Sequence, residues 1–402
     1  SNADSSKDEE KTGRESREAW LTLLGSFIVY YSSAGILNSF GFFQEYYETD
    51  FLKNIAVSPS TISFIGTLQI ALVNCLATIS GALCDVYGVK YLYIASSLGL
   101  SSAFLALSFI KPIIWHLFLS QGLLMGVAIA FSAQPALTIV SQHFDAAQRG
   151  LAMSIVYSGS ATGGLCFNFM FTTLKARVGF PWTMRVAAGK VLVLHAVALR
   201  VSSRMPRCEN GKRKVSMGTL FDFKGFRDGR YVILAVGAWF AHLGLWIPGY
   251  HITSYMNSAH REAAIGKYIN SIMSGVSIPV MVVGGFIGDR VGKLNVLWPA
   301  ALGAGSVCLL FWLPDPSILA LIAFAALYGV FSGTFMALLP ATVTEIVKMD
   351  EKVGARMGAF YSVIATASLI GPPVGSALVM NEGKTKEDYK GLVVLAVCII
   401  LL

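Results

Sequence analysis

The sequence predicts an all-α, polytopic membrane protein with twelve transmembrane helices in two six-helix halves. Composition, the number of apolar stretches and one repeated polar elbow support this prediction. Of the 402 residues, 54% are hydrophobic and only 13% are charged, against roughly 25% charged in ordinary soluble domains. A chain of this composition cannot bury its apolar residues in one soluble core, so lipid is its expected solvent.

The apolar stretches are close to the length of about 20 residues that a helix needs to cross a bilayer. The last one holds too few residues to cross, and we expect it to be an incomplete helix. The twelve stretches lie near 20–47, 60–84, 90–110, 113–142, 150–174, 182–203, 231–257, 266–288, 294–313, 318–347, 355–380 and 391–402.

The polar elbow at 81–90 follows the second stretch, and a similar elbow at 285–293 follows the eighth. In both copies an Asp (Asp85 or Asp289) is followed three residues later by a Gly and then by a Lys. A charged hairpin repeated after six further helices indicates that the chain consists of two related halves. Substrate sites in transporters built from such repeats lie near the membrane midplane, between the halves.

The predicted divisions follow from this repeat and from the longest polar stretch. Residues 1–19 form a cytoplasmic N-terminal tail whose first three residues resemble a tag remnant. The N-terminal half is 20–203 and the C-terminal half is 231–402. A cytoplasmic linker, 204–230, joins them, and its amphipathic end suits a helix on the membrane surface, with a flexible loop as the alternative.

Charge and cysteine usage narrow the function classes. The net charge is +8, but the positive residues lie between apolar stretches rather than in one patch, so nucleic acid is not an expected partner. Their excess in alternate connections predicts cytoplasmic termini, and the plasma membrane is the expected location. The six Cys residues are scattered, with no CxxC pair or His cluster. We therefore expect no metal and no cofactor, and we expect a monomer in a lipid bilayer.

Several stretches carry a family resemblance. Residues 81–90 read Gly-x-Leu-x-Asp-x-x-Gly-x-Lys, which resembles the loop signature of the major facilitator superfamily. Residues 38–48, 143–160 and 371–375 resemble the fungal branch of its monocarboxylate transporter family, and the resemblance covers essentially the whole chain. It implies the major facilitator fold and a secondary transporter that moves a small organic acid or related metabolite by alternating access.

Alternatives to this function stay open. One is a facilitator or exporter of a neutral or aromatic metabolite or vitamin, and another is a nutrient sensor that keeps the fold without transporting. Proton coupling also stays open. No nucleophile–base or metal constellation supports an enzyme. Animal members of the family have a Lys in helix one and an Asp/Arg pair in helix eight, where ungapped matching places Asn38, Ser277 and Met281.

Helix seven holds the most distinctive candidate binding surface. His242, Trp246 and Tyr250 recur every four residues, so they share one helix face. Such a stripe suits a planar ligand, and plain helix packing is the alternative. His242 is also a candidate proton site, because imidazole titrates near neutral pH. The predicted substrate-contacting residues are Asn38, Gln134, Tyr157, His242, Trp246, Tyr250, Ser277, Met281, Tyr328 and Tyr361.

The charged residues at the inner helix ends are candidate gating groups. A carboxylate there can meet a helix N-terminus of the other half, because unpaired amides and the helix dipole favour an anion. Lys90, Arg290 and Lys293 can pair with it or with lipid phosphates, and we expect Glu345 to meet Lys348 or Arg149. A role in topology alone is the alternative. The predicted gating residues are Asp85, Lys90, Arg149, Asp289, Arg290 and Glu345.

One further charge lies within an apolar stretch. Lys190 in helix six should cost at least about 2.5–3.5 kcal/mol at a helix centre, so we consider it a second candidate proton site. His195 lies five residues later, and that spacing does not place the two on one helix face. Because helix six lies at the periphery of the fold, a structural role for Lys190 is the alternative.

Overall fold

A computed structural model shows helix in almost all of the residues that it describes, with no strand among them. We number the main helices α1 to α12 in chain order. The structure describes residues 2–53, 55, 57–202, 223–259, 266, 268–314, 317–347, 353–379 and 386–401.

The N-terminal half contains six helices, of which α1, α2 and α4 are interrupted. The two parts of α2 meet at an angle of 42°. The bounds are α1 (Asn2–Ser32, Ala34–Asn38, Phe40–Tyr46 and the π-helical turn Tyr47–Phe51), α2 (Pro59–Cys75 and Ala77–Tyr87), α3 (Val89–Ser108), α4 (Ile114–Leu117, the π-helical turn Phe118–Leu124 and Met125–His143), and α5 and α6, which are 149–178 and 180–202 of the run Arg149–Ser202.

The C-terminal half has the corresponding six helices and two short 3-10 turns. The bounds are α7 (Gly229–Ala259), α8 (Ile269–Val291), α9 (Lys293–Val307 and the π-helical turn Cys308–Trp312), α10 (Ile318–Val347), α11 (Val353–Ala377) and α12 (Lys390–Leu401), with the 3-10 turns at Phe223–Arg227 and Lys386–Tyr389.

Eight helices of the described ranges are long and apolar enough to cross a membrane, and the bent pair of α2 brings the number to nine. The surface agrees with a lipid environment, because large apolar side chains face outward. Phe169 and Leu319 are 73% and 75% exposed, whereas Gln69 and Thr138 are buried. Polar groups inside and apolar groups outside are what the bilayer requires, since lipid offers no hydrogen-bonding partner.

The predicted linker lies mostly outside the described residues. Of 204–230, the structure describes 223–230, which contain the 3-10 turn and the first residues of α7. The predicted amphipathic surface helix at 220–226 falls largely on residues outside the description. Lys348, one of the two partners expected for Glu345, also lies outside it.

The connection between α5 and α6 differs from the prediction of a loop between residues 174 and 182. The helical run continues to Gly179, whose φ of 78° breaks it, a conformation that glycine adopts without steric penalty. Tyr31 contacts both arms: its ring lies 5.8 Å from the Phe167 ring of α5, and its hydroxyl lies 3.0 Å from Lys190 Nζ of α6. The two helices therefore form an antiparallel hairpin with a one-residue turn.

The two halves meet along α2 with α11 and along α5 with α8. Glycines allow the backbones to approach closely there. A Cβ on Gly81 would lie 2.2 Å from the carbonyl oxygen of Gly354, and a Cβ on Gly285 would lie 2.6 Å from Ser154 Cβ. Small residues at helix crossings are a common means of close packing in membranes. We call the end of the bundle that carries both elbows the elbow end, and the opposite end the outer end.

Candidate functional site

Two adjacent cavities lie between the halves and share part of their lining. The outer chamber, with about 840 Å³ of empty space, is bordered by α1, α5, α7, α8 and α10. The inner chamber, with about 650 Å³, is bordered by α1, α2, α4, α5, α7 and α11. Because α7 starts at the elbow end, the chamber that His242 lines is the inner one and the chamber that Tyr250 lines is the outer one. The residues common to both chambers are Leu37, Asn38, Tyr157, Ser160 and Trp246.

All ten predicted substrate-contacting residues line one chamber or both, although their contact with a substrate stays a prediction. The stripe on α7 runs along the path between the chambers, with Trp246 facing both. The outer chamber contains Asn38, Tyr157, Trp246, Tyr250, Ser277, Met281 and Tyr328, and the inner chamber contains Asn38, Gln134, Tyr157, His242, Trp246 and Tyr361.

The chambers are uncharged. Within the described ranges, no Asp, Glu, Lys or Arg side chain lines either one. His242 is the imidazole of the inner chamber, and its Nδ1 lies 3.0 Å from the carbonyl oxygen of Ala238. Aromatic rings, amides, hydroxyls and thioethers make up the remaining polar or polarisable surface. An apolar pocket with a few polar groups of this kind is typical of sites that bind small organic molecules.

Some polar atoms at the chambers lack partners. Gln134 Nε2, Trp246 Nε1 and Tyr250 Oη are buried without a hydrogen bond to the described part of the chain. A buried polar group without a partner costs about 1–3 kcal/mol. A ligand that supplies the missing partners would therefore be favoured over an empty chamber.

The sequence analysis missed several lining residues. Phe40 of α1 is one, and its ring lies 5.6 Å from the ring of Tyr250, so a pair from opposite halves narrows the outer end. Asn270, at the start of α8, was detectable as a polar residue beside an apolar run. Apolar lining residues gave no such signal, because apolar side chains also face lipid on the same helices. The main missed residues are Tyr30, Phe40, Asn270, Met273 and Met336.

Asp289 joins the halves at the elbow end. Its Oδ1 accepts a hydrogen bond from the Gly150 amide at 2.9 Å, and its Oδ2 accepts one from the Leu151 amide at 2.7 Å. These amides belong to the first turn of α5, where backbone N–H groups have no partner inside the helix. The carboxylate of one half thus caps a helix of the other half, with the favourable interaction between an anion and a helix N-terminus.

Lys293 extends this contact and pairs with Glu345, for which it was not an expected partner. The Lys293 ammonium lies 3.2 Å from Asp289 and 3.1 Å from Glu345, and it donates to the Ala146 carbonyl at 3.2 Å. The expected Glu345 partner Arg149 instead donates to the Phe144 carbonyl, at 3.3 and 3.2 Å. Lys293 is the first residue of α9, directly after the elbow, and this position brings it next to both carboxylates.

Asp85 forms the corresponding contact of the first elbow. Its Oδ2 accepts a hydrogen bond from the Ala355 amide of α11 at 3.1 Å, and its Oδ1 accepts one from Gln142 Nε2 at 3.2 Å. Lys90 is exposed, and Arg290 lies over the Phe286 ring at 4.2 Å. Among the described residues, neither cation pairs with a carboxylate, so of the three cations expected to pair at the elbows Lys293 is the one that does so. The gating role of all these residues stays a prediction.

Lys190 lies away from both chambers. Its ammonium donates to the Tyr31 hydroxyl at 3.0 Å and lies 4.0 Å above the Phe167 ring. These contacts provide a hydrogen bond and a cation–π interaction for a charge within the membrane. His195, on the same helix, is buried with Nδ1 3.2 Å from Ser32 Oγ. Both side chains thus fasten α6 to α1.

Metal-binding geometry is absent from the residues that the structure describes, where no three His, Cys, Asp or Glu side chains come together. The chambers and the elbow contacts are two features with functional potential. The first can hold a small molecule between the halves. The second can hold the halves together at one end.

Comparisons with known proteins agree with this architecture. The "MFS transporter asaE" of Aspergillus flavus is 32% identical over 91% of this chain and 81% of its own length. The "Agnestins efflux protein AgnL12" of Paecilomyces divaricatus is 33% identical over 94% of this chain and 85% of its own length. The crystal structure of the human organic anion transporter MFSD10 (TETRAN) superposes with a TM-score of 0.70 at 14% identity. It covers 96% of this chain and 99% of that one, and it shows the shared fold.

The sequence model of the Major Facilitator Superfamily matches residues 22–314 and 234–402, which together include both halves. The narrower resemblance to monocarboxylate transporters stays a prediction. With the family match, the transporter-named relatives and the fold in agreement, the chain belongs to the Major Facilitator Superfamily and is a transporter rather than an enzyme.

Proposed function

We propose that this transporter exports a neutral, ring-containing small metabolite by alternating access. The uncharged chambers carry this proposal, since the described lining residues include no Asp, Glu, Lys or Arg. A carboxylate in such a chamber would lose its hydration without gaining a permanently charged partner, which is strongly unfavourable. A small organic acid, the first expectation from the family resemblance, is therefore less favoured than the neutral metabolite of the alternative.

Outward direction is supported by a relative. AgnL12 is named as an efflux protein, and its alignment covers 94% of this chain. Export would place the protein in the plasma membrane. The excess of Lys and Arg in alternate connections supports cytoplasmic termini, so the elbow end would face the cytoplasm.

The proposed cycle uses the two ends of the bundle. At the elbow end, Asp85 and Asp289 hold the halves together through helix N-termini. At the outer end, the Phe40 and Tyr250 rings approach to 5.6 Å. Release of the Asp contacts would open the chambers to the cytoplasm for loading. Closure of the elbow end and separation of the two rings would then discharge the substrate outward.

Proton coupling through His242 would allow export against a gradient. Its imidazole lines the inner chamber, and imidazole is the side chain that most readily changes charge near neutral pH. Exchange of a proton for the substrate would then drive export. We expect His242→Gln to abolish the dependence of flux on a pH gradient while exchange of substrate across the membrane continues.

The experiment compares neutral and charged ligands of the same shape. Thermal unfolding of the purified full chain is measured with aromatic carboxylic acids and with their methyl esters, because a ligand of the folded state raises the midpoint. We expect the esters to stabilise the protein and the parent carboxylates to have no effect. The opposite preference would contradict the proposal.

Flux is then measured with a labelled form of the ester that binds most tightly. Proteoliposomes should take it up faster than protein-free liposomes, which report passive permeation. Trp246→Ala should reduce both the thermal shift and the uptake, because Trp246 borders both chambers. Binding without protein-dependent uptake would refute transport of this class.

A further inference from the structure

We infer that the substrate has two parts: a ring with hydroxyl or carbonyl oxygens, which the inner chamber binds, and a flexible apolar chain, which the outer chamber binds. This inference rests on the proposed function, because it takes the chambers as the place of the transported molecule. It depends on a chemical difference between the two chambers.

The inner chamber has polar atoms that are free to bind a ligand. Tyr30, Tyr157 and Tyr361 come from three different helices, and the rings of Tyr30 and Tyr157 lie 5.2 Å apart. Within the described residues, none of their hydroxyls makes a hydrogen bond. Gln134 is 5% exposed and its Nε2 has no partner there. Phenol and amide groups can donate to carbonyl oxygens and accept from hydroxyls, so they suit an oxygen-substituted ring.

The outer chamber has hydroxyls that are already used by the protein. Ser277 donates to the Ser274 carbonyl at 2.8 Å, and Ser332 donates to the Tyr328 carbonyl at 2.6 Å. The Tyr328 hydroxyl donates to the Leu245 carbonyl at 2.8 Å. The donor protons of these hydroxyls are therefore already used within the protein, and only the oxygen lone pairs remain for a ligand.

Methionines make up much of the remaining outer surface. Met273, Met281 and Met336 line it together with the rings of Phe40 and Trp246. Methionine side chains are flexible and polarisable, so they adapt to apolar groups of varied shape. A flexible hydrocarbon chain fits such a surface better than a rigid polar group does.

The outer end of this chamber offers two further polar atoms. Tyr250 Oη and Asn270 Oδ1 are both buried without a partner among the described residues. Tyr250 lies in the outer half of α7, and Asn270 lies in the first turn of α8. They can bind one polar atom at the far end of the ligand's hydrocarbon chain. The ligand would then have a polar ring, an apolar chain and a polar end group, in that order.

A single molecule can occupy both chambers because they share a border. Asn38, Tyr157 and Trp246 line both. The inner chamber joins Gln134 of the N-terminal half with Tyr361 of the C-terminal half. Each part of the ligand therefore contacts both halves, which is what a substrate needs in order to influence their relative position.

Three small probes test the division. Orcinol supplies the dihydroxy ring, pentylbenzene supplies the chain, and olivetol combines the two. Binding to the purified full chain is measured from thermal shifts at several concentrations. We expect olivetol to bind more tightly than either part, by up to about fourfold for each methylene added to orcinol.

Two substitutions separate the chambers. Gln134→Leu should weaken orcinol and olivetol equally, by about five- to tenfold, because each loses the same hydrogen bond. Met336→Ser should weaken olivetol and leave orcinol unchanged. Met336→Leu, which keeps the apolar volume, is the matched control and should retain the affinity for olivetol. The ligand-free unfolding midpoint of each variant verifies that it is folded.

Defined outcomes would overturn the inference. One is equal affinity for orcinol and olivetol, and another is an equal loss of affinity for both in Met336→Ser. The others are a chain-length effect on affinity that Met336→Ser leaves intact, and no change of the unfolding midpoint with any probe. A chain-length effect that persists in the variant reports partition into detergent. Failure of the proposed function is distinguishable, because it appears as the predicted binding pattern without flux into proteoliposomes.

Discussion

The first and second elbows place their carboxylates against the same kind of partner but hold them differently. Asp289 accepts hydrogen bonds from two amides of α5 and pairs with Lys293, which is 6% exposed. Asp85 accepts from the Ala355 amide of α11 and from the side chain of Gln142. The contact of α5 with α8 therefore includes the buried lysine of its own elbow, and the contact of α2 with α11 includes the side-chain amide of Gln142.

The two elbows differ by one residue in the distance along the sequence from the glycine to the lysine. Gly88 and Gly292 both have positive φ values, 73° and 101°, so both elbows turn in a similar way. The residue directly after each glycine is buried, and it is Val89 in the first elbow and Lys293 in the second. Lys90 comes one position later, which rotates it by about 100° on the helix and leaves it exposed. The residue after the glycine thus decides whether the lysine of the elbow is buried beside its Asp.

We expect the two contacts to differ in strength, because the second elbow buries its own lysine beside its Asp and the first does not. The second elbow should hold its helices more tightly, so the first should separate more easily when the elbow end opens. Three substitutions test this order, each measured on the purified chain by thermal unfolding and in proteoliposomes by flux.

The largest effect is expected from Asp289→Asn. The substitution removes the charge that two amides and Lys293 share, and its NH₂ group cannot accept their hydrogen bonds. Loss of one member of a buried, hydrogen-bonded pair costs about 3–5 kcal/mol. We expect the lower part of this range, because Lys293 keeps its contact with Glu345. A variant as stable as the parent, with normal flux, would show that Asp289 does not hold the halves together.

Asp85→Asn should have a smaller effect. It weakens one charge-assisted hydrogen bond to the Ala355 amide, which corresponds to about 1.5–3 kcal/mol. We expect it to lower the transport rate more than the substrate affinity, because Asp85 lies at the elbow end and outside both chambers. An unchanged rate in the correctly inserted variant would contradict the proposed latch, and a loss greater than that of Asp289→Asn would reverse the order of the elbows.

The smallest effect is expected from Lys293→Met, with Lys90→Met as the matched control. Methionine keeps the apolar part of Lys293, and Asp289 keeps its two amide hydrogen bonds, so we expect a loss of about 1 kcal/mol. The control should leave the unfolding midpoint unchanged, because Lys90 is exposed. Equal effects of the two substitutions would show that the buried ion pair does not distinguish the elbows.

Much of the architecture could be predicted from local patterns. Helix number and the two-half repeat follow from apolar length and from the duplicated elbow. The positions of Asn38, Gln134 and the α7 stripe at the chambers follow from helix periodicity together with the known arrangement of the family. The superfamily prediction is confirmed by the family match.

Other features depend on contacts that no local pattern specifies. Glu345 meets Lys293 because α8, α9 and α10 converge, and this cannot be judged from charge spacing along one helix. The methionines of the outer chamber resemble lipid-facing residues in the sequence, because both surfaces are apolar. The one-residue turn at Gly179 could not be predicted, because the charged residues around it indicate a longer loop.

That one-residue turn has a mechanical consequence. Asp289 is bonded to the first amides of α5, and α5 continues into α6 with only Gly179 interrupting the helical run. The connection at the outer end is therefore too short to absorb a displacement of α5 that starts at the elbow end. The hairpin should tilt as one rigid unit. Breaking or forming the hydrogen bonds of Asp289 should therefore displace Trp182, which lies more than 30 residues away along the chain.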